Sequence, residues 1–423
     1  MMPTPMPPRT TFGRPPPPPF QHEDDAPTAP AARHTTSLAV ARELLLSQMA
    51  QLAAPGADVR LIAPLMFWGP PGIGKSELLR ALCEEHGWGF VDVRLAQRDP
   101  VDLRGLPVPE NGVVKWLPSS DWPRDPQSRG ILLFDELTAA DRTLQVAAYE
   151  LILDRRLGDT YQVPPGWLVC GAGNRAEDGS VSLPMSAALA NRFLHLELAV
   201  DVDHWSRWAT RRGLRPELIA FLRTRPQLLI DMQRSDLQRG WPSPRSWARV
   251  SAFLDGAAML SEQARHTGIV GLVGEGPALE LKAYLDITSK LPDFGAVLRG
   301  ETTLEMPSKA DLKLAVVTGL ARHVWLQHNR DRALAILLGL SHKLTSDFAT
   351  ALVADAIEAA PHGGLEQLLE HPSFVDWRRK HGAELSRRMP AVAPALDEQA
   401  GHGSQRIPVP NSVLDAVRAS LRR

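Results

Sequence analysis

The sequence predicts an α/β core, in which helices cover both faces of a parallel sheet, followed by an all-α domain. A glycine-rich segment, GPPGIGKS at 69–76, lies between an apolar run typical of a strand and an amphipathic run typical of a helix. Further apolar strands alternate with helices up to about residue 200, which indicates a parallel sheet covered on both faces. From Asp201 onward the apolar spacing is helical, which predicts the second domain.

The first ordered element is predicted near residue 36. SLAVARELLLSQMAQLAA has helical apolar spacing and ends before Pro55 and Gly56. PLMFW predicts the strand that enters the glycine-rich segment, and SELLRALCEEH predicts the helix that leaves it. GILLFDELTAADRTLQVAAYELILD predicts a buried strand followed by a long helix. The later predicted strands are, in order, FVDVRL, ILLFDE, GWLVCGAGN and NRFLHLEL.

Composition restricts the class of protein. A chain of 423 residues is long enough for roughly two to three domains. Its net charge of −1 gives no overall field that favours nucleic acid or an anionic membrane. Cys83 and Cys170 stand in apolar runs and form no CxxC pair, which fits a reducing compartment, and no apolar run reaches the roughly 20 residues of a membrane span. We therefore expect a soluble, cytoplasmic protein.

The predicted domain organisation has four parts. Residues 1–34 are rich in proline and cannot bury a core, which favours a disordered tail over a docking peptide for a partner. Residues 35–200 form the α/β core and residues 201–385 the helical domain. Residues 386–423 are expected to be a loose tail with a short final helix.

The glycine-rich segment satisfies the pattern G-x-x-x-x-G-K-[ST], and its strand–loop–helix context is the one that phosphate binding requires. It begins at Gly69. Backbone amides at a helix N-terminus attract an anion, and the predicted donors are those of Gly72, Ile73, Gly74, Lys75 and Ser76. The Lys75 ammonium is expected to reach the β- and γ-phosphates, and the Ser76 hydroxyl to hold Mg²⁺.

Polar residues end two later strands. Asp135 and Glu136 close ILLFDE, and at the carboxyl edge of a parallel sheet both can face a ligand cleft. Asp135 suits Mg²⁺, directly or through water, and Glu136 suits the activation of an attacking water. Asn174 closes GWLVCGAGN and is predicted to orient that water, although a turn-forming asparagine has the same local pattern.

Together, GPPGIGKS, ILLFDE, GAGN and LANRF resemble the motifs of AAA+ ATPases, and PVDLRGLP and LILDRRLGD resemble the MoxR branch of that family. The resemblance covers roughly residues 38–320. It implies that Lys75 and Ser76 belong to the Walker A motif, Asp135 and Glu136 to Walker B, and that Asn174 is the sensor 1 residue. ATP and Mg²⁺ are the implied cofactors, with Ser76 and Asp135 as the metal ligands.

Two arginines take roles from the same resemblance. Arg192, in LANRF, matches the arginine finger, which acts on ATP bound to the adjacent subunit. Arg245, in WPSPRSW, matches the sensor 2 arginine at the start of a lid helix. The local sequence fits a helix start, because Ser243 can cap it and Pro244 suits its first turn. Without the resemblance, Arg245 would be interpreted as an arginine on a surface helix. The alternative for Arg192 is a surface arginine that shields the end of a helix.

Two short hairpins are predicted in the core. PVPENGVVKW places Asn111-Gly112 between β-prone runs, a strong hairpin signal. It resembles the insert that MoxR-type proteins carry in the second helix of the core. DRRLGDTYQVPPGW predicts a second hairpin. Both would carry nucleotide-driven motion to a client, or else be solvent-exposed hairpins without a client contact.

The resemblance implies a homo-oligomeric ring, expected to be a hexamer, that hydrolyses ATP to remodel or activate a partner, usually a von Willebrand factor A domain protein. A nucleic-acid motor is the first alternative, but the sequence has no basic stripe with interleaved aromatics, so nucleic acid is not expected as a partner. The second alternative is a nucleotide-gated scaffold with little turnover. The presence of Glu136 and Arg192 argues against it.

Overall fold

The computed structural model describes residues 34–175, 178, 183–232, 237–400 and 413–414. The predicted proline-rich tail, apart from its last residue, lies outside these ranges. Within them, the α/β core is a six-stranded sheet in which every neighbouring pair is parallel. The strands are β1 (Thr35–Thr36), β2 (Leu65–Trp68), β3 (Gly89–Arg94), β6 (Gly130–Asp135), β9 (Trp167–Gly173) and β10 (Leu194–Leu198).

The strand order across the sheet is β1-β10-β2-β9-β6-β3. Strands β2, β3, β6 and β9 lie where the sequence predicts PLMFW, FVDVRL, ILLFDE and GWLVCGAGN, in that order. Strand β10 follows NRF, as expected. The order places β2 and β6 on either side of β9, so that the carboxyl ends of these three strands are neighbours. Crossovers of this kind need intervening helices, which is the arrangement that alternating strand and helix patterns predict.

Helices cover both faces of the sheet, as the sequence predicts. On one face α1 (Leu38–Leu52) and α2 (Lys75–His86) pack against Leu65, Phe67 and Leu133. On the other, α3 (Pro100–Arg104) and α4 (Arg142–Leu153) pack against Met66 and Phe134. Alternate residues of each strand therefore enter opposite cores, because side chains alternate across a strand.

Both predicted hairpins are confirmed. Strands β4 (Leu106–Glu110) and β5 (Val113–Leu117) pair antiparallel, and β7 (Arg156–Leu157) and β8 (Tyr161–Gln162) form the second pair. In the first hairpin Asn111 has φ 53° and Gly112 φ 79°. Two successive positive φ angles are what a tight hairpin turn with the right-handed strand twist requires, and Asn-Gly accepts them most readily.

The chain beyond β10 is helical in the part that the structure describes, so the predicted fold class is confirmed. These helices and the short α5 that precedes β10 are, in chain order, α5 (Ala187–Ala190), α6 (Val202–Arg211), α7 (Pro216–Thr224), α8 (Pro244–Gly256), α9 (Glu262–Val273), α10 (Glu275–Thr288), α11 (Phe294–Arg299), α12 (Ala310–His323), α13 (Arg330–Ser341), α14 (Ser346–Glu358), α15 (Gly364–Leu369), α16 (Pro372–Arg388) and α17 (Ala393–Ala400).

The helical region contains two apolar cores. The first core is formed mainly by α6 to α10 and includes Trp205, Trp247 and Leu281. The second core is formed mainly by α11 to α17. Helix α12 contributes to both. The second core extends past residue 385, because Met389 and Leu396 are buried in it. The four-part division of the chain stays a prediction. Among the described helices, none has the length and apolarity to cross a membrane.

Candidate nucleotide site

The glycine-rich segment joins β2 to α2, as predicted. Helix α2 begins at Lys75, and its N-cap residue Gly74 has φ 101° and provides no side-chain cap. Most residues with a side chain avoid this backbone conformation, so glycine is the residue that allows the chain to turn into the helix here. A helix start without a side-chain cap leaves amide groups pointing out of the helix, where the helix dipole favours an anion. The segment therefore has the geometry of a phosphate loop.

The Lys75 side chain lies inside this loop. Its Nζ donates to the carbonyl oxygens of Gly69 at 2.6 Å and Pro70 at 3.1 Å, and to Asn174 Oδ1 at 2.9 Å. Burial lowers the pKa of Lys75 to about 8, although the charge of Asp135 acts in the opposite direction. The lysine is thus a desolvated cation beside the carboxyl edge of the sheet, where an anionic ligand interacts with it more strongly than in water.

Ser76 and Asp135 meet across the loop. Ser76 Oγ donates to Asp135 Oδ2 at 2.5 Å, and the other carboxylate oxygen accepts from the Glu136 backbone N–H at 2.9 Å. Hydroxyl and carboxylate oxygens are hard ligands of the kind that Mg²⁺ prefers, and magnesium usually takes only one or two carboxylates plus phosphate oxygens and water. The donor set therefore fits Mg²⁺. No group of three or more His, Cys, Asp or Glu suited to a metal occurs in the described part of the chain.

Glu136 directly follows β6 and has φ 56°, which is rare for a residue with a side chain. Such strain persists where the surrounding structure imposes it, and it is concentrated at functional sites. Within the described ranges, the Glu136 carboxylate makes no hydrogen bond or ion pair, and the residue is half-buried. It can therefore accept a hydrogen bond from a water at the edge of the sheet.

Asn174 follows β9, the strand between β2 and β6. Its side-chain oxygen accepts from Lys75, and its backbone oxygen accepts from Thr138 Oγ1 at 3.2 Å. The amide is thereby held between the phosphate loop and the segment that follows Glu136. This position places a polar group beside both the cation and the carboxylates.

The helical region contacts the phosphate loop through the start of α8. Ser243 and Ser246 form a capping box, and the Arg245 backbone N–H donates to the carbonyl oxygen of Gly72 at 3.2 Å. Gly72 has φ 80°, and a Cβ there would lie 3.1 Å from Ser243 Oγ. The positive charge of Arg245 also acts on Lys75, lowering its pKa. Of the two arginines singled out from sequence, this one is beside the loop.

Arg192 is not part of this cluster. It lies between α5 and β10, is exposed, and makes no side-chain hydrogen bond or ion pair with the residues that the structure describes. The turn that carries it is regular, since the Arg192 N–H donates to Leu189 O at 3.1 Å. The structure thus brings together the other predicted site residues and leaves Arg192 on the surface.

Sequence reasoning missed two charged residues beside the site. Arg175 pairs with Glu197 of β10 at 2.7 Å, and the Arg175 backbone N–H donates to Asp178 at 2.8 Å. Both charges act on Lys75: Asp178 raises its pKa, and Arg175 lowers it. Arg175 directly follows Asn174 in GNR, a position that could have drawn attention to it. Nothing local in the sequence indicates its pairing with Glu197.

No family model matches the chain. By sequence it is 28% identical over 193 residues to Midasin from Giardia intestinalis, a match that covers 44% of this chain and 4% of Midasin. Among solved structures, NtrX from Brucella abortus in complex with ATP matches 84% of this chain and 68% of its own, with 13% identity and a TM-score of 0.33. A presumed ATPase from Cytophaga hutchinsonii matches 71% of this chain and 81% of its own, with 15% identity and a TM-score of 0.27. These TM-scores are too low to indicate a shared overall arrangement, and the sequence match spans less than half of the chain.

Proposed function

We propose that this chain is an ATP hydrolase of the AAA+ type that works with bound Mg²⁺. The observation that supports it most directly is the meeting of Lys75, Ser76, Asp135 and Asn174 at the carboxyl ends of three neighbouring strands. Ligands of open α/β sheets bind at this edge. A chance match to the loop motif would not pair a lysine with an amide and a hydroxyl with a carboxylate at the same edge of the sheet.

Each group has a distinct task in this proposal. The loop amides from Gly72 to Ser76 bind the phosphates, and Lys75 offsets charge on the β- and γ-phosphates. Ser76 and Asp135 hold the metal, which supplies charge neutralisation at the phosphate oxygens when bound. Glu136 accepts a proton from the attacking water, and Asn174 orients it. Arg245 places the helical region over the same nucleotide.

Arg192 acts on a second nucleotide in this proposal. Its own loop already has two cations, Lys75 and Arg245, whereas Arg192 is exposed in the turn between α5 and β10. An exposed arginine whose side chain pairs with none of the described residues suits contact with ATP in a neighbouring subunit. We therefore infer a homo-oligomeric ring, with six subunits as the expected number.

We propose that the ring remodels or activates a partner protein, as MoxR-type proteins do, with a von Willebrand factor A domain protein as the expected class. The β4–β5 hairpin supports a protein client, because it exposes several large apolar side chains. Leu106, Val114, Leu117 and Trp116 are between 43% and 64% exposed. Exposed apolar patches of this kind are typical of protein-binding surfaces.

The test of hydrolysis compares phosphate release by the full chain and by Glu136→Gln, with Mg²⁺ and ATP. We expect Glu136→Gln to retain ATP binding and to lose most release, whereas Lys75→Ala loses binding. Glu43→Gln, an exposed position of α1, is the matched control and should behave as the unmodified chain. Equal release by Glu136→Gln and the unmodified chain would favour a nucleotide-gated scaffold.

The test of the client uses the same variant. Glu136→Gln protein held with ATP is expected to retain both the ring and the bound partner during affinity purification. Lys75→Ala protein, which cannot be held in the ATP state, is the control. Recovery of nucleic acid instead of a protein, lost as salt is raised, would support the motor alternative.

A further inference from the structure

The imidazole of His195 connects two parts of the chain that meet only in the folded structure. Trp68 Nε1 donates to His195 Nδ1 at 2.8 Å, and His195 Nε2 lies 2.8 Å from the carbonyl oxygen of Ala190. Trp68 ends β2 and precedes Gly69, the first residue of the phosphate loop. Ala190 ends α5, two residues before Arg192. The imidazole of His195 therefore bridges the entrance of the phosphate loop and the turn that carries the exposed Arg192.

The two hydrogen-bond partners determine the tautomer of the His195 imidazole. An indole N–H can only donate and a backbone carbonyl can only accept, so Nδ1 accepts and Nε2 carries the proton. The neutral ring satisfies both contacts at once. Ala190 O also accepts from the Phe193 backbone N–H at 3.2 Å, so His195 adds a second, side-chain restraint to the same turn.

Aromatic packing restricts how this connection can move. The Phe193 ring meets the His195 ring edge-on, with centroids 6.1 Å apart. The planes of Trp68 and His195 are 16° apart, with centroids at 5.9 Å. At the far end, the carbonyl oxygen of Gly69 accepts from Lys75 at 2.6 Å. Contacts therefore run without a break from Lys75 through the loop entrance, Trp68 and His195 to the turn before Arg192.

We propose that His195 is a positioning residue for Arg192. It ties the turn at 190–193 to the phosphate loop of its own subunit and so sets where Arg192 meets the ATP of the neighbouring subunit. The inference rests on the proposed function, because that function gives Arg192 a nucleotide on which to act. It extends that function by coupling the state of one site to catalysis at the next.

The first measurement is steady-state hydrolysis by His195→Ala. We expect an unchanged KM and an unchanged affinity for ATP, with kcat reduced about 10-fold or more, since small misplacements of a catalytic group carry losses of this order. His195→Gln keeps an acceptor and a donor in its amide and is expected to recover part of the loss. Trp68→Phe keeps a ring but removes the donor, and is expected to reproduce the loss if His195→Ala does not fold.

The decisive measurement mixes subunits. His195→Ala protein is combined with Glu136→Gln protein, which binds ATP without hydrolysing it and keeps its own Lys75, Trp68, His195 and Arg192. Native mass spectrometry verifies that mixed oligomers form. We expect activity above that of either protein alone, because the intact turn of one subunit then serves the working site of the other. A defect confined to the site of the His195→Ala subunit would not recover.

The same mixture with Arg192→Ala in place of His195→Ala separates the two proposals. If Arg192→Ala recovers activity and His195→Ala does not, His195 has no positioning role and the proposed function stands. If neither mixture recovers activity although mixed oligomers form, Arg192 does not act between subunits. The proposed role of Arg192 in a neighbouring site is then wrong. A chain that stays monomeric with ATP contradicts both, and full kcat in His195→Ala contradicts the inference alone.

Discussion

Lys75 Nζ donates to Asn174 Oδ1 across 2.9 Å, joining the phosphate loop to the end of the neighbouring strand β9. The two residues are 99 positions apart in the sequence. Because the bond engages the cation and the amide with each other, any phosphate that attracts Lys75 also alters the surroundings of Asn174. A ligand that displaces Lys75 would therefore also change the contacts of Asn174 at the end of β9.

Nucleotide affinity is expected to fall as the pH rises above about 8. Burial lowers the pKa of Lys75 to about 8, so the ammonium that attracts phosphate is fully present below that pH and is progressively lost above it. Binding at higher pH must then take up a proton, and the dissociation constant should rise up to about 10-fold per pH unit. Titrations with ATP from about pH 7 to about pH 9.5 measure this dependence.

Calorimetry near pH 8.5 in two buffers of different ionisation enthalpy measures the proton uptake directly. Lys75→Ala provides the control, because its residual binding should lack this pH dependence. An unmodified chain whose dissociation constant is constant over the range, with no proton uptake, would contradict the prediction.

Arg192→Ala is expected to retain ATP binding and lose most turnover. An arginine finger contributes on the order of 10³-fold or more to phosphoryl transfer in related systems. Its side chain makes no hydrogen bond or ion pair with the described residues, so its removal should leave the midpoint of thermal unfolding unchanged. Phosphate release and unfolding are measured beside Arg60→Ala, another exposed arginine. Normal release by Arg192→Ala would return the residue to the role of a surface cation.

Gly72→Ala is expected to weaken nucleotide binding by disturbing the contact between the loop and α8. The new Cβ would lie 3.1 Å from Ser243 Oγ and 3.4 Å from Arg245 Cβ, so the Ser243 cap of α8 has to shift by a few tenths of an ångström. Gly56→Ala is a matched control, because Gly56 also has a positive φ, 75°, but nothing within 4 Å of its Cβ position. Both variants carry a backbone cost of about 1–2 kcal/mol for a side chain at positive φ, and we expect only Gly72→Ala to change the affinity for ATP.

Asp355→Ala is expected to lower the free energy of unfolding by about 3–5 kcal/mol, the range for breaking a buried ion pair. Arg223 of α7 donates to both carboxylate oxygens of Asp355 in α14, and these side chains are only 9% and 6% exposed. Asp376→Ala removes an exposed pair with Arg379, at 75% and 57% exposure, and should change stability by about 1 kcal/mol or less. Equal losses in urea unfolding would argue against a special role for burial.

Local pattern alone was enough to predict the alternating strands and helices of the core. The apolar runs of β2, β6 and β9 are short and continuous because both of their faces are buried, and that is visible in the sequence. Asn111-Gly112 specified its own hairpin turn, and Ser243-Pro244 the start of α8. A hairpin turn or a helix cap extends over only a few positions, so the residues at those positions determine its conformation.

The sequence by itself also identified the candidate site residues, among them Lys75 and Arg245, and their roles stay a proposal. Only the tertiary structure decided which of them meet, because that depends on the strand order, which places β9 between β2 and β6. The same order placed Arg175 against Glu197 and Trp68 against His195, pairs that no local pattern indicates. Contacts between distant segments follow from how the sheet is assembled, whereas each strand follows from its own side chains.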